Sequence, residues 1–363
     1  MFLIRTDLSG DVLWQRTYGT PAWDLCMDLQ VTSDGFALAG TSYLNNEGDA
    51  YVVRTDFNGD TLWTRMIGGG YFDEALGVAL ASDNGLVVVG ATTAIDDNIQ
   101  AFVAKLNDDG GLAWFESFGG DSLDYFRSAV ETADGGLACS GGTKSDSDVK
   151  QVLIVKVDAN GNTLWQEQYG SMGDSEGREI QENANGDLAV ASYNSYANAG
   201  GKDMVLFLVS SSGAFMLGKN YGGLGDEEGA SLEALPDGGY IIAGTAEDYG
   251  PGLRSIFVVR CDETGETADD TVYEMFDPLA VHVQQLSSEP FCFPNPTTGL
   301  VTLGSPASWS SMALYDATGR RLHAWSTSLG TLDLSGLNDG AYFLRGTDRS
   351  GRIVTAPLIL QKH

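Results

Sequence analysis

Short apolar runs separated by polar turns fill most of the chain, and no stretch shows the periodicity of an amphipathic helix. Runs such as residues 86–89 and 240–243 are rich in apolar and β-branched side chains, which predicts strands that are buried on both faces. Turns such as Asp34-Gly35 and Asn185-Gly186 precede runs of this kind and supply the positive φ angles that hairpins require. The pattern predicts an all-β chain of short antiparallel strands.

The same landmarks return in the same order every 49 to 52 residues. Each unit starts with an Asp-x-x-Gly turn or a variant of it, as at residues 7–10, 56–59 and 158–161, and a Trp stands four residues after the glycine in the clearest copies. An acidic residue and further strands around an Asp-Gly-type turn follow. Four short strands in a unit of about 50 residues are typical of a β-propeller blade, because each blade packs a like face against its neighbour. We predict a propeller with five complete four-stranded units.

One set of recurring side chains in these units is aromatic. We interpret the recurring Trp residues as packing between adjacent blades rather than as stacking on a ligand, because a structural need repeats with the fold. The positions are Trp14, Trp63, Trp114 and Trp165.

A second recurring set is acidic and follows each crossover between units. These carboxylates could line the mouth of a central channel, where a carboxylate pair can hydrolyse a glycosidic bond. Alternatively, each carboxylate accepts backbone N–H bonds and holds the crossover loop in shape. Recurrence in every unit favours the structural role, because catalytic sites break the symmetry of a repeat. The positions are Asp24, Asp73, Asp124, Asp174 and Asp226.

The repeat ends after Gly265, and a different pattern follows it. We predict that residues 1–270 form the propeller and that residues 271–290 form a linker with two candidate strands. Short strands separated by Asp- and Gly-containing turns fill residues 291–363 and predict a small antiparallel, immunoglobulin-like β-sandwich.

Three sequence blocks in this last domain carry a family resemblance. They are FPNPTTG at residues 293–299, LYDATGR at residues 314–320 and LDLSGLNDGAYFL at residues 332–344, with Lys362 near the end. In this order they resemble the type A C-terminal sorting domain of the type IX secretion system. The motif residues are Pro294, Asn295, Pro296, Gly299, Asp316, Gly319, Gly340 and Tyr342.

The resemblance implies a cargo protein of the Bacteroidota. The type IX secretion machinery would recognise this domain and deliver the protein to the outer cell surface or the extracellular space. Units with DxxGDxLW and DGGYIIAGT motifs are similar to repeats in many such cargo proteins. The N-terminal strand either closes a five-bladed ring by pairing with the last blade, or Met1 lies within a longer natural chain with further blades. Residues 1–7 lack the features of a secretory signal, so we expect the longer chain.

The charge of the chain restricts its partners. Against 50 Asp and Glu stand 20 Lys and Arg, which gives a formal net charge of −30, and residues 1–286 hold nearly all of the excess. Such a charge repels a phosphate backbone, so we expect neither nucleic acid nor an anionic membrane surface as a partner. No apolar run approaches the roughly 18 residues of a membrane span.

Residues suited to catalysis or metal binding are scarce. His282, His323 and His363 all lie outside the repeats, which excludes Ser-His-Asp sites, HExxH zinc sites and most iron centres from the propeller. The Asp-x-Asn-Gly turns lack the later ligands of an EF-hand loop. We predict no metal and no cofactor, with weak Ca²⁺ binding by the acidic surface as an alternative.

The predicted function is a secreted or cell-surface binding or display scaffold without enzymatic activity. Its ligand, an extracellular glycan or a protein, is not identified by the sequence. A hydrolase or lyase acting on polysaccharide is the alternative, and a quinoprotein-like dehydrogenase with a Ca²⁺ site is a third hypothesis, suggested by a looser similarity of the blades. Aromatic residues near the crossovers would give the polysaccharide-acting enzyme its specificity: Trp23, Tyr71, Phe72 and Tyr125.

Overall fold

The structure is a computed structural model, and it describes residues 1–44, 47–69, 71–93, 98–145, 147–170, 173–195, 201–247, 254–267, 292–293, 297–303, 309–316, 320–325, 330–348 and 353–362. Strands β1 to β28 are the regular elements of this part of the chain. None of the described residues forms a helix that is long and apolar enough to cross a membrane. The chain divides into two compact units, residues 1–275 and 276–363, and the predicted linker of residues 271–290 lies outside the described residues.

Six antiparallel sheets form the first unit. The first sheet has two strands, the next four sheets have four strands each, and the sixth has three strands among the described residues. The strands are β1 (Phe2–Thr6), β2 (Val12–Thr17), β3 (Asp24–Val31), β4 (Gly35–Ser42), β5 (Asp49–Asp56), β6 (Thr61–Ile67), β7 (Asp73–Leu80), β8 (Leu86–Thr93), β9 (Ile99–Leu106), β10 (Leu112–Phe118), β11 (Asp124–Glu131), β12 (Leu137–Thr143), β13 (Gln151–Val157), β14 (Thr163–Tyr169), β15 (Ser175–Glu182), β16 (Leu188–Asn194), β17 (Asp203–Val209), β18 (Phe215–Tyr221), β19 (Glu227–Ala234), β20 (Tyr240–Ala246) and β21 (Ser255–Cys261).

Each four-stranded sheet follows the chain from an innermost to an outermost strand. In the second sheet the middle strands β4 and β5 are almost fully buried, whereas the outermost strand β6 keeps most of its side chains exposed. The continuous apolar runs of the sequence therefore map to the middle strands. The repeated four-stranded antiparallel sheets confirm the predicted propeller-like fold. Among the described strands, none of the sheets closes on itself.

A left-handed glycine closes the turn that begins each unit. Between β5 and β6, Gly59 has a φ of 78°, and Oδ1 of Asp56 accepts the N–H groups of Asn58 (2.8 Å) and Asp60 (2.9 Å). The carboxylate therefore organises the turn, and a side chain at the glycine position would strain it. Positive φ recurs at the equivalent residues Gly10, Gly110, Gly161, Gly213 and Gly265.

Successive sheets pack through their inner strands. Strands β3, β7, β11, β15 and β19 contact one another in chain order. Val52, Val88 and Phe102 belong to the apolar cluster between the second and third sheets, and Phe126 and Leu153 belong to the cluster between the third and fourth. The core is thus divided into layers, as expected for blades that pack like faces together.

The innermost strand of the second sheet, β3, has an exposed apolar face. The first sheet packs through Leu3 and Tyr18 against β4 and β5, and does not cover β3. Val78, the counterpart of Leu29 in β7, is 7% exposed, because β3 packs against β7. The exposed β3 residues are Leu25 (42%), Met27 (45%), Leu29 (45%) and Val31 (55%).

Two antiparallel sheets form the second unit, in the strand orders β22-β23-β26 and β25-β24-β27-β28. Val301 and Leu332 from the first sheet and Leu344 and Leu358 from the second share one apolar core, which is the predicted two-sheet arrangement. The strands are β22 (Cys292–Phe293), β23 (Leu300–Leu303), β24 (Trp309–Asp316), β25 (Arg321–Trp325), β26 (Thr331–Asp333), β27 (Gly340–Asp348) and β28 (Ile353–Leu360).

Candidate binding site on the inner strands

The recurring Trp residues link each unit to the next. Every indole N–H donates to a carbonyl of the Asp-x-x-Gly turn in the following unit, so the polar edge of the ring is used in a bond between units. The donor and acceptor atoms are Trp14 Nε1 and Phe57 O (3.2 Å), Trp63 Nε1 and Asp108 O (2.9 Å), Trp114 Nε1 and Ala159 O (3.2 Å), and Trp165 Nε1 and Ser211 O (2.9 Å).

Three of the recurring acids, Asp24, Asp73 and Asp124, are the first residues of the innermost strands β3, β7 and β11. In each case Oδ2 accepts the backbone N–H of the residue four positions earlier, which closes the crossover loop. The donors are Thr20 (2.6 Å), Gly69 (3.0 Å) and Gly120 (2.9 Å).

Asp174 and Asp226 lie one residue before β15 and β19, so Ser175 and Glu227 occupy the strand-initiating positions there. Oδ1 of Asp174 accepts the N–H of Lys150 at 2.7 Å, and Oδ1 of Asp226 accepts the N–H of Lys202 at 2.8 Å. Glu227 makes the crossover bond of its unit, with Oε2 accepting the N–H of Gly223 at 2.7 Å. All five predicted acids therefore bind backbone groups near the crossovers.

Two of the strand-initiating acids lie near a second buried carboxylate, because each pair surrounds the same glycine: Asp73 and Asp49 at Gly68, and Glu227 and Asp203 at Gly222. A Cβ placed on Gly68 would lie 2.3 Å from Asp73 Oδ2 and 3.0 Å from Asp49 Oδ1. A Cβ placed on Gly222 would lie 2.4 Å from both Asp203 Oδ1 and Glu227 Oε2. Burial, and to a smaller extent the charge of Asp49, raises the pKa of Asp73, and burial raises the pKa of Asp203.

The most marked departure from the repeat is a row of alternating charges across β11, β15 and β19. We call this row the Arg–Glu ladder. It consists of Arg127, Glu176, Arg178 and Glu228, flanked by Lys150, Lys202, Tyr125 and Tyr193.

Glu176 is the centre of the ladder. Its carboxylate is 1% exposed and lies 2.7 Å from Arg127 Nε, 2.8 Å from Lys150 Nζ and 3.4 Å from Arg178 Nε. The hydroxyl of Tyr193 donates to its Oε2 at 3.3 Å. A buried carboxylate is tolerated when it is paired in this way.

The ladder contains two groups of the same composition, each with one tyrosine, one arginine and one lysine. Arg127 Cζ and Lys150 Nζ lie 5.3 and 5.5 Å from the ring centroid of Tyr125. Arg178 Cζ and Lys202 Nζ lie 5.5 and 4.5 Å from the ring centroid of Tyr193. Glu228 joins the second group, with Oε1 at 2.6 Å from Lys202 Nζ and Oε2 at 3.4 Å from Arg178 Nη2.

The protonation states of Glu176, Tyr125 and Lys150 are fixed around neutral pH. Burial acts to raise the pKa of Glu176, but the hydrogen bond from Lys150 and the charges of Arg178 and Arg127 outweigh it and hold the pKa at about 2. Burial and the charge of Glu176 raise the pKa of Tyr125 to about 12. Hydrogen bonds to Glu176 and Tyr125 outweigh burial and raise the pKa of Lys150.

Of the ladder residues, only Tyr125 was predicted from the sequence as a candidate site residue. Arg127 and Arg178 hold the same position in β11 and β15, and Leu76 holds it in β7. Lys150 and Lys202 both stand just before the third strand of their sheet. One signal in the sequence could have identified the ladder. Basic residues recur at matching positions in two neighbouring units, although the chain has few cations.

A cavity of about 290 Å³ lies near the crossover into β7 and is lined by Asp73, Arg65, Thr92 and Phe115, among others. Of the crossover aromatics, Trp23 is 79% exposed and Tyr71 is 41% exposed. Phe72 contacts Tyr43, with ring centroids 6.5 Å apart. These aromatics lie in the crossovers before β3 and β7, whereas Tyr125 is part of the ladder on β11.

In the described ranges, no group of three or more His, Cys, Asp and Glu side chains is placed to hold a metal ion. The carboxylates of the EF-hand-like turns bind backbone N–H groups instead, as Asp158 does with Asn160 (2.8 Å) and Asn162 (2.9 Å).

Residues in and near the sorting-domain motifs form hydrogen bonds in the turns of the second unit and near its C-terminus. Oγ1 of Thr297 accepts the N–H of Gly299 at 3.1 Å, and the hydroxyl of Tyr342 donates to Asn338 O at 2.7 Å. Lys362 Nζ donates to the carbonyls of the turn that follows β26, at Ser335 and Leu337. Asp316 ends β24 and Gly340 begins β27, whereas Pro294, Asn295, Pro296 and Gly319 lie outside the described residues.

Solved structures similar to this chain are distant. PorZ, described as an essential bacterial surface component of the type IX secretion system of Porphyromonas gingivalis, is 11% identical with a TM-score of 0.36, and the match covers 97% of this chain and 61% of PorZ. The Pan2 WD40 domain of Neurospora crassa is 11% identical with a TM-score of 0.46, covering 77% of this chain and 75% of that domain. A polysaccharide lyase, an ulvan lyase, is 8% identical with a TM-score of 0.47, covering 92% and 78%.

The sequence of the second unit is more informative. Residues 292–361 match the family described as the secretion system C-terminal sorting domain. No curated protein matches the chain. The C-terminal part of this chain is therefore a type IX secretion system sorting domain, which marks the protein for export to the cell surface or the extracellular space.

Proposed function

We propose that the protein is a secreted or cell-surface scaffold that binds an extracellular ligand through its propeller-like unit and has no enzymatic activity. The Arg–Glu ladder is the observation that carries this proposal. The recurring Trp and Asp side chains are used to hold the fold, whereas the ladder departs from the repeat and keeps four cations partly exposed. Departure from the repeat is expected of a specific binding site.

The protonation states of the ladder favour binding over catalysis. A general acid or base works best when its pKa lies near the ambient pH. The pKa of Glu176 is about 2, the pKa of Tyr125 is about 12, and burial with the charge of Glu176 raises the pKa of Tyr193. None of these three groups is poised to exchange a proton at neutral pH.

A polysaccharide-acting hydrolase or lyase is the second candidate function. The observation in its favour is the pair of buried carboxylates Asp49 and Asp73, because Asp73 also lines the cavity near the crossover. Two carboxyl groups flanking a glycosidic bond are the usual machinery of glycoside hydrolysis. Against it, Oδ2 of Asp73 accepts the backbone N–H of Gly69 and is engaged in the crossover loop.

One experiment separates the two functions. The full chain is applied to an array of neutral and acidic polysaccharides, and each bound polysaccharide is then incubated with the protein and assayed for new reducing ends and for unsaturated uronate products. We expect binding without chain cleavage. Cleavage that disappears in Asp73→Asn would establish the enzyme instead, and the absence of binding to every polysaccharide would contradict a glycan-binding scaffold.

A further inference from the structure

We propose that the Arg–Glu ladder binds the acidic groups of an extracellular polysaccharide, either the carboxylates of uronic acids or sulfate esters. This inference deepens the binding function proposed above and rests on it. It names the site and the chemical class of the ligand.

The ladder presents cations to the solvent above a buried carboxylate. The side chain of Glu176 is 1% exposed, whereas those of Arg127, Lys150, Arg178 and Lys202 are 30%, 20%, 26% and 32% exposed. A ligand approaching from solvent therefore meets the cationic groups first. Because Glu176 is already ionised and buried, its role is to hold the cations in place.

The other carboxylates near the ladder already bind a partner or are partly buried. Glu228 is 21% exposed and already lies within 2.6 Å of Lys202. Glu74 is close enough to Arg127 for the arginine charge to act on it, although burial is the larger effect and raises the pKa of Glu74. Asp174 and Asp226 direct an oxygen at backbone N–H groups.

The arginines keep donors for a ligand. Arg127 contacts Glu176 through Nε, and Arg178 contacts Glu176 through Nε and Glu228 through Nη2. A guanidinium has five N–H donors in a planar fork that matches carboxylate or sulfate oxygens. Each arginine can therefore add a ligand acid group to its present contact.

The doubling of the site indicates a ligand with repeated acid groups. The Tyr125 group and the Tyr193 group have the same composition and lie on neighbouring units. A polymer with one acid group on successive sugars can occupy both groups at once, and joining two weak contacts in one ligand raises the overall affinity. The net charge of −30 acts against every polyanion, so binding requires direct contact between the ladder cations and the acid groups of the ligand.

Affinity electrophoresis of the full chain tests the proposal. Native gels contain polygalacturonate, dextran sulfate or uncharged dextran, at low and at moderate salt. We expect the two acidic polymers to retard the protein and dextran not to do so, with less retardation as salt rises. Polygalacturonate and dextran sulfate distinguish a carboxylate from a sulfate ligand, and retardation by dextran alone would overturn the inference while leaving a glycan-binding scaffold intact.

Lys202→Gln is the test variant, because Lys202 is partly exposed and its partner Glu228 is not deeply buried. Lys219→Gln is the matched control: Lys219 is 34% exposed, pairs with Glu266 outside the ladder, and the change alters the net charge equally. We expect the dissociation constant for the acidic polymer to rise by roughly fivefold or more in the first variant and to stay unchanged in the second.

Three results would overturn the inference. The first is the absence of retardation by both acidic polymers. The second is an equal effect of the Lys202 and Lys219 substitutions, which would indicate a general charge effect. The third is stronger binding of polyglutamate than of either acidic polysaccharide, lost in Lys202→Gln, which would assign the ladder to an acidic protein partner.

Discussion

Left-handed glycines allow the first turn of a unit to lie close against the Trp ring of the unit before it. Gly161 has a φ of 85°, and a Cβ there would lie 2.9 Å from Cε3 of Trp114. Gly135 has a φ of 80°, but a Cβ there would meet nothing within 4 Å. A substitution at Gly135 therefore tests backbone strain alone, whereas a substitution at Gly161 tests backbone strain together with crowding of the Trp114 ring.

We expect Gly161→Ala to destabilise the protein more than Gly135→Ala does. Both changes place a side chain in the left-handed region, which costs roughly 1–2 kcal/mol. Gly161→Ala also displaces the indole of Trp114, which adds about 1–3 kcal/mol. Urea unfolding of the two variants measures the difference, and equal losses would show that the Trp ring does not fix the spacing of the units.

The buried acid pair at Asp49 and Asp73 predicts a stabilising substitution. Asp73 is 3% exposed and Asp49 is 8% exposed. Asparagine at position 73 can still accept the N–H of Gly69, and it removes the negative charge that lies near Asp49. We expect Asp73→Asn to raise the free energy of unfolding at neutral pH by about 1 kcal/mol. Thermal and urea unfolding measure the change.

The pH dependence of this gain follows from the direction of the shift. Because the folded pKa of Asp73 is raised, the native state binds its proton more tightly than the unfolded chain does. Ionisation of Asp73 therefore destabilises the wild type as pH rises through the two pKa values, and the advantage of Asp73→Asn should vanish below roughly pH 4. Asp124→Asn is the control, because Gln100 takes the place of Asp49 beside that strand start and no such gain is expected.

At the scale of the strand, a cation on the third strand of a sheet pairs with the Asp of the first hairpin turn. The fifth sheet has Leu208 at the cation position and Asn185 at the turn position. Cation and carboxylate are thus replaced together, which indicates that they act as a pair. The pairs are Arg54–Asp34 (2.8 Å), Lys105–Asp83 (2.7 Å), Lys156–Asp134 (2.7 Å) and Arg260–Asp237 (2.6 Å).

A double-mutant cycle on Lys156 and Asp134 tests this pairing. We expect Lys156→Leu with Asp134→Asn to cost less than the sum of the two single changes. The coupling should be about 0.5–1 kcal/mol, at the low end for neighbouring residues, because Asp134 is 55% exposed and solvent screens the pair. Urea unfolding of the four proteins gives the value.

The coupling should disappear in acid. The hydrogen bond from Lys156, with those from Thr132 and Gly136, lowers the pKa of Asp134 to about 2. A folded pKa below the unfolded one stabilises the protein above the unfolded value of roughly 3.9, and this stabilisation is lost as pH falls towards the folded value. A coupling energy that is the same at neutral pH and near pH 2 would contradict an ionic pair.

The strands and their repetition could be predicted from the sequence, because the Asp-x-x-Gly turns and Trp positions are local signals. The first residues of β15 and β19 were not identified: Asp174 and Asp226 were grouped with the other acids, although they follow the crossover glycine by four residues rather than five and lie one position before the strand. The Arg–Glu ladder was also missed. Its pairs, such as Arg127 with Glu176, are separated by a full unit, and only the packing of neighbouring inner strands brings them together.

At the scale of the molecule, the two units have separate cores. The core of the second unit is built from its own two sheets, as at Val301 and Leu344. Among the described residues, the clusters of the first unit are built from its own strands, as at Phe102 and Leu153. Each unit therefore has an apolar core built from its own strands.

Removal of residues 287–363 should abolish export and leave the first unit folded. The sorting domain is the address that the secretion machinery reads, whereas the first unit keeps its own cores. The experiment uses a host with a type IX secretion system, in which the full and the shortened chain are expressed with the same inner-membrane signal peptide. The full chain with Lys202→Gln is the control, because this substitution leaves the sorting domain intact. We expect the shortened chain to be retained in a protease-resistant form and the other two proteins to reach the cell surface or the medium. Export of the shortened chain at the level of the full chain would show that the first unit carries an address of its own.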